Sequence, residues 1–346
     1  MDELEVSLCA VLLAEAANIG LRPVINPADR ALTRGRLRHV DAAYKRPETM
    51  SAANARLIAC QAQIPIVAHW GGGMVVSVDG LRFVVPVKSL WARPNPRYFG
   101  LRHRGATWLN VVNDQVMGIG GLVVPGTIRD SLFILDAIHN RDGGPRPEIV
   151  ITDSASYSDI VFGLFAICGY QFSPRLADIS DSRTWRIDTT AGYGPLDQLA
   201  RHLIRLERIR AHWPDMLRVA GSLTTGQVRA YDLIRMISRD GRPTGLGEAF
   251  AHYGRIFKTL HILQVLHDES YRRMIASQQN LHESRHGLAR RIRHGQHGQL
   301  RERYRQGMED QLGALGLVLN CVVLWNTIYM DKARAQRPAG PQADPR

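Results

Sequence analysis

With 346 residues and 45% hydrophobic content, the chain is long enough to bury one large core or two modest ones. Its 44 Lys and Arg against 32 Asp and Glu leave +12 at neutral pH, which favours a polyanionic partner, either nucleic acid or an acidic membrane surface. Cys9, Cys60, Cys168 and Cys321 are scattered without a short paired spacing, which weighs against a zinc knuckle or a disulfide framework and suits a reducing cytosol.

The N-terminus is acidic where an export signal would be basic, so the apolar run 6–17 reads as a core helix. A second helix is expected over 51–63 with Ser51 as its cap. At residues 74–86 the pattern turns to two β-rich runs around Asp79-Gly80, which predicts a hairpin turning at that pair. A strand over 107–113, a helix over 129–140, a strand over 148–153 ending in Thr152-Asp153, a Ser/Asp-rich turn, a helix near 158–169 and a strand near 171–176 come next. That succession predicts an α/β fold built on a ribonuclease H-like mixed sheet, in which the first and fourth strands are neighbours. Asp79 and Asp153 would then converge across 74 residues of sequence (153 − 79). Taken locally, Asp79 is the ordinary residue of an Asp-Gly turn and Asp153 a turn residue or helix cap. Two converging carboxylates would suit a hard cation such as Mg²⁺, but they are one ligand short of a site.

Beyond the sheet the chain reads as helical: 195–211, 212–220, 226–238, 245–267 and 271–293. The resulting organisation is a helical lead-in (1–70), the sheet core (71–185), a long helical insertion (186–275), closing helices (276–334) and a disordered tail (335–346). The apolar segment 312–330 contains Asn320 and Asn326 and is expected as a buried helix rather than a membrane span. Residues 271–305 hold nine Arg against Glu283 and Glu302, a run that points to phosphate contact by Arg272, Arg273, Arg285, Arg290, Arg291 and Arg293. Within it, His282-Glu283-Ser284-Arg285-His286 spells the H-E-x-x-H pattern of zinc metallopeptidases. Ala289 and Ile292 stand where the extended form has Gly and a third His, so the zinc reading is the weaker alternative.

Several stretches carry a resemblance: His69-Trp70-Gly71, Ser77 to Phe83, Asn95-Pro96-Arg97-Tyr98-Phe99-Gly100, Thr152-Asp153, Gly169-Tyr170 with Phe172 and Pro174-Arg175, and Leu324-Trp325-Asn326-Thr327 with Tyr329. In that order, from about residue 8 to residue 334, the chain resembles the C-terminal catalytic region of the Tn-three family of replicative transposases. The resemblance implies an Asp-Asp-Glu triad of Asp79, Asp153 and Glu283. Glu283 matches through Asn280, Arg285 and Leu288-Ala289-Arg290. Departures fall at Gly72, a commonly acidic position, and at His282 and His286, where small or Asn neighbours are usual.

Further implications are two Mg²⁺ ions, DNA cleavage and strand transfer at transposon ends and target, self-association on DNA, and a cytoplasmic protein that joins the nucleoid when on DNA. An inactive DNA-binding remnant and a nuclease that cuts without joining are the other readings. Family members carry several hundred residues ahead of this region, so the chain is expected to be truncated at its N-terminus and to lack end recognition.

Overall fold

The computed structural model describes residues 2–126, 130–153, 157–179, 182–239 and 242–336. Expectations for Arg129, for the turn at 154–156 and for the tail beyond residue 336 lie outside the described residues. Helices α1 (Leu4–Ala16), α2 (Arg34–Tyr44) and α3 (Pro47–Ala62) precede the sheet. The third begins four residues ahead of Ser51. Pro47 takes the first helical position, where its missing N–H costs nothing, and the Thr49 hydroxyl accepts from the Arg46 N–H at 3.2 Å.

The expected hairpin at Asp79-Gly80 does not form. Strand β1 runs unbroken from Val75 to Val84, with Asp79 opposite Asn110 and Gly80 opposite Leu109. Turn preference loses here to tertiary pairing. The strand is hydrogen-bonded on both edges, and Val76, Val78, Leu81 and Phe83 are buried on its two faces. Only after a long excursion, containing strand β2 (Arg93–Pro94) and a helical turn α4 (Pro96–Phe99), does the chain return as β3 (Arg104–Asn113), antiparallel to β1. Strand β4 (Gly118–Pro125) then pairs with β3, a strand that the sequence reading passed over. Three of its eight residues are glycine, which weakens any strand signal.

Helix α5 (Ile134–His139), strand β5 (Ile149–Ile151), helix α6 (Asp159–Ile167) and strand β6 (Gln171–Phe172) complete a six-stranded sheet in the order β2-β3-β1-β5-β6, with β4 also on β3. Strand β5 is parallel to both β1 and β6. The neighbourhood of the first strand and the 149–151 strand is therefore as expected. Ser77 sits opposite Ile151, and two residues further along that register Asp153 comes level with Asp79.

The helical remainder comprises α7 (Leu206–Thr224), α8 (Ala230–Ile237), α9 (Gly245–His267), α10 (Glu269–Ile292) and α11 (Arg305–Gln336). Where two helices were expected, α7 runs through Pro214, held by a stripe of Ile209, Met216, Ala220 and Leu223 that faces the core. Helices α6 and α9 meet at Gly163 and Gly254, where a Cβ on either glycine would collide with the other helix's backbone. Beside that contact Asp159 receives Arg255 at 2.9 Å and Lys258 at 3.0 Å, tying the helical region to the sheet. Helix α11 is long and apolar enough to cross a membrane by length and composition. In the fold it packs on α1, α3 and β4, with Leu312, Leu315, Leu319, Asn320 and Thr327 buried.

Candidate active site

Helix α10 lies over the seam between β1 and β5, and its sequence explains how. Asp268 caps it by accepting from the Tyr271 N–H at 3.1 Å, and Glu269 complements the positive end of the helix dipole. Its buried residues, Tyr271, Ile275, Gln278, His282, Arg285, His286 and Ala289, recur at helical spacing. Polar contacts along this stripe fix the helix against the sheet. Gln278 Nε2 donates to Ser77 Oγ at 3.1 Å and to the Val112 carbonyl at 2.9 Å, and Gln279 Nε2 donates to the Thr152 carbonyl at 2.8 Å. His282 Nδ1 lies 2.7 Å from Ser77 Oγ, and His286 Nδ1 lies 3.6 Å from Asp79 Oδ2.

Asp79 is half-buried beneath this helix. Burial is the largest influence on its carboxyl and pushes it from 3.8 up to about 6. The Gly80 N–H, donating to Oδ1 at 2.7 Å, and Arg82 act in the opposite sense, whereas the negative charges of Asp153 and Glu283 raise it further. Asp153, just past the end of β5, and Glu283, on the shoulder of α10, are both exposed. All three carboxylates thus share one electrostatic neighbourhood. Among the described residues no three His, Cys, Asp or Glu side chains stand close enough together to enclose an ion. Three ionised carboxylates repel one another, and Asp79 registers that repulsion.

The two histidines do not behave as zinc ligands. Both are buried and neutral: desolvation drives His282 well below the usual imidazole range, and it drives His286 to about 4, aided by Arg290, Arg285 and Arg82. Their Nδ1 atoms face Ser77 and Asp79, their Nε2 atoms have no hydrogen-bond partner among the described residues, and Glu283 is exposed rather than enclosed with them. We expect His282→Ala to cost about 1–3 kcal/mol through the lost hydrogen bond and the void it leaves. Urea denaturation measures this. A cost below about 0.5 kcal/mol, the level of an ordinary surface substitution, would contradict the packing described.

The basic segment divides. Arg290 and Arg291 are exposed in the last turn of α10. Arg272 and Arg273 are exposed near its start, the first donating to the Val265 carbonyl at 2.6 Å and the second paired with Glu269 at 2.6 Å. Arg285 and Arg293 are only 5% and 2% exposed, which corrects the expectation that they touch phosphate. Arg285 donates to Asn320 Oδ1 at 2.6 Å and to the Val116 carbonyl at 3.2 Å, and Arg293 donates to Gln311 Oε1 at 2.8 Å. The signal was available in the sequence. Positions 278, 282, 285, 289 and 293 form one helical stripe, so a buried His282 implies a buried Arg285. What the sequence reading missed altogether is the polar chain beyond that guanidinium. Asn320 Nδ2 donates to Asn54 Oδ1 at 2.5 Å, and Asn54 Nδ2 donates to Asp142 Oδ2 at 2.8 Å.

Fold and site together define an α/β protein in which a mixed sheet and an overlying helix with exposed arginines bring three carboxylates into one neighbourhood. The chain belongs to the family described as the Tn3 transposase DDE domain, whose model matches residues 1–344, and the resemblance seen in the sequence is thereby borne out. It is 59% identical over 333 residues to the transposase for transposon Tn4556 of Streptomyces fradiae, covering 96% of this chain and 37% of that protein. It is 51% identical over 332 residues to the transposase for transposon gamma-delta of Escherichia coli (strain K12), covering 96% and 33%. To the transposase for transposon Tn1546 of Enterococcus faecium it is 33% identical over 326 residues, covering 94% and 33%. The chain spans about a third of the length of these relatives.

Proposed function

We propose that this chain is the catalytic portion of a replicative transposase, a ribonuclease H-like domain that cuts DNA at transposon ends and joins the freed 3′ ends to target DNA. The observation that carries this reading is the shared field of Asp79, Asp153 and Glu283, three carboxylates from two neighbouring strands and an overlying helix. In this reading they are the Asp-Asp-Glu triad. The order of the sheet, with the Asp79 strand between its antiparallel partner and the parallel strand leading to Asp153, supports the ribonuclease H-like assignment.

The donor chemistry fits Mg²⁺. The three are oxygen ligands only, and the adjacent imidazoles are turned to the sheet. Mg²⁺ ions held by Asp79, Asp153 and Glu283, two by the usual logic of in-line phosphoryl transfer, would supply an activated oxygen nucleophile and charge relief for the leaving oxygen. The chain's own residues do the rest. Gln278, Gln279 and His282 hold α10 in register with the sheet, so that Glu283 stays beside Asp79. The exposed Arg272, Arg273, Arg290 and Arg291 flank it and hold the DNA backbone, which sets position without reading sequence. The division into lead-in, sheet core, helical insertion over 186–275 and closing helices belongs to this reading, as does self-association on DNA.

A strand-transfer assay tests it. With Mg²⁺, DNA bearing a free 3′ end at a family-type inverted repeat is expected to be joined to a target plasmid. Cutting without joining would indicate a nuclease, and neither activity would indicate a DNA-binding remnant.

The buried aspartate adds a pH dependence. An acid whose pKa is raised by folding penalises the folded state once it ionises, so the penalty is absent below 3.8 and complete above about 6. Without divalent cation, stability is expected to fall as pH rises through that window. Since the cation binds the ionised form, Mg²⁺ should raise the melting temperature more at neutral pH than at about pH 5. Equal shifts at both values would count against Asp79 as a ligand.

A further inference from the structure

Between β1 and β3 the chain leaves the sheet, and this excursion is one-sidedly positive. Residues 85–103, between the two strands, hold three Arg, one Lys and no carboxylate. Within it, the helical turn Pro96–Phe99 is pinned to the sheet edge. Phe99 is 6% exposed and lodges against Gly105 and Gly126, where a Cβ on either glycine would collide with its ring, and Asn95 Nδ2 donates to the Gly126 carbonyl at 2.8 Å. The neighbouring residue, Tyr98, stays 41% exposed. The Arg82 guanidinium lies over its ring at 3.9 Å from the centroid, and that of the exposed Arg97 lies over it at 5.5 Å.

A surface cation–π pair alone is commonplace. Three features set this one apart: a rigid anchor behind a partly exposed aromatic ring, a guanidinium on the strand that carries Asp79, and a second basic feature beside the excursion. That feature is a cavity of about 870 Å³, lined by Lys88, Arg102 and Arg104 together with Trp91 and, from the segment between α10 and α11, by Arg303 and by Arg305, the last paired with Glu309 at 2.9 Å.

We propose that Tyr98 is a stacking platform for an unpaired base of a DNA strand, with Arg97 and the cation-lined cavity holding the backbone of that strand. The proposal takes DNA as the ligand from the transposase reading and goes beyond it by naming a subsite and its substrate. A base inside a duplex has both faces occupied by its neighbours, so an exposed ring selects single-stranded or opened DNA, while the cations serve any phosphate chain. Arg82 stands three residues (82 − 79) beyond Asp79 on β1, which places this platform near the acidic face.

The test uses the full chain and a single-stranded oligonucleotide containing 2-aminopurine, beside a duplex of the same sequence. Wild type is expected to quench the probe in the single strand. Tyr98→Ala should abolish the quenching and weaken single-strand binding about tenfold, with duplex affinity and melting temperature unchanged, and Tyr98→Phe should restore both. The Lys88→Gln, Arg102→Gln double variant should lower the slope of log affinity against log salt by about 1.4, two phosphates at about 0.7 each. Unchanged single-strand binding by Tyr98→Ala, or an equal loss for both DNAs, would overturn the platform. An unchanged salt slope would overturn the role of the cavity. A wild-type chain that binds neither DNA would overturn the transposase reading along with the proposal.

Discussion

Asp153→Asn is expected to lower Mg²⁺-dependent cleavage by more than about 100-fold while leaving the fold intact. Partners that merely orient a metal ligand are worth about 10- to 100-fold, and an amide in place of the ligand itself removes the charge that holds the ion. Asp153 is exposed beyond the end of β5, so the exchange should change stability by no more than about 0.5 kcal/mol. Asp79→Asn provides the contrast. It should be as inactive, yet more stable than wild type at neutral pH, because it removes a carboxylate whose pKa burial has pushed up to about 6. Single-turnover cleavage and urea denaturation of both variants separate the two roles. Asp153→Asn cleaving at the wild-type rate would remove it from the triad, and Asp79→Asn losing stability would contradict the net penalty that burial places on its charge.

The pair of strands that brings these aspartates together was legible because its signal is local. An apolar β-branched run ending in Thr152-Asp153 can hardly be anything but a buried strand leading to a carboxylate, and the order of elements around it admits few sheets. What misled was also local. Asp79-Gly80 is the strongest short hairpin signal there is, but a central strand paired on both edges overrides it. The glycines of β4 hid a strand, and they are there for long-range reasons. At Gly118 a Cβ would stand 2.6 Å from Arg285 Nη2, a residue 167 positions away (285 − 118). By charge alone, the basic run in 271–305 is one uniform phosphate-facing surface. Phase assigns Arg285 and Arg293 to the inside and Arg290 and Arg291 to the outside. Single-sequence reading finds the elements well and their partners poorly, since partners depend on contacts between residues far apart in the chain.

Arg285 shows how much energy such a contact can hold. Its guanidinium is held near a titration of about 9 by burial, and among the described residues it donates only to neutral oxygens, Asn320 Oδ1 and the Val116 carbonyl. The charge is shared onward through Asn320 and Asn54 to the carboxylate of Asp142, joining α10 to α11, to β4 and to α3 in the lead-in. Removing one member of a buried charged network is costly because the others remain desolvated, so Arg285→Ala is expected to destabilise the fold by about 3–5 kcal/mol. Gly118→Ala attacks the same contact from the other side, and forcing a methyl against the guanidinium should cost about 1–3 kcal/mol. If the two residues meet as described, the combination Arg285→Met with Gly118→Ala must cost less than the sum of its parts, because the unbranched, uncharged side chain leaves room for the new methyl. Urea denaturation of the wild type, both single variants and the double variant measures the coupling. Costs that add to within about 0.5 kcal/mol would show that Gly118 and Arg285 are independent.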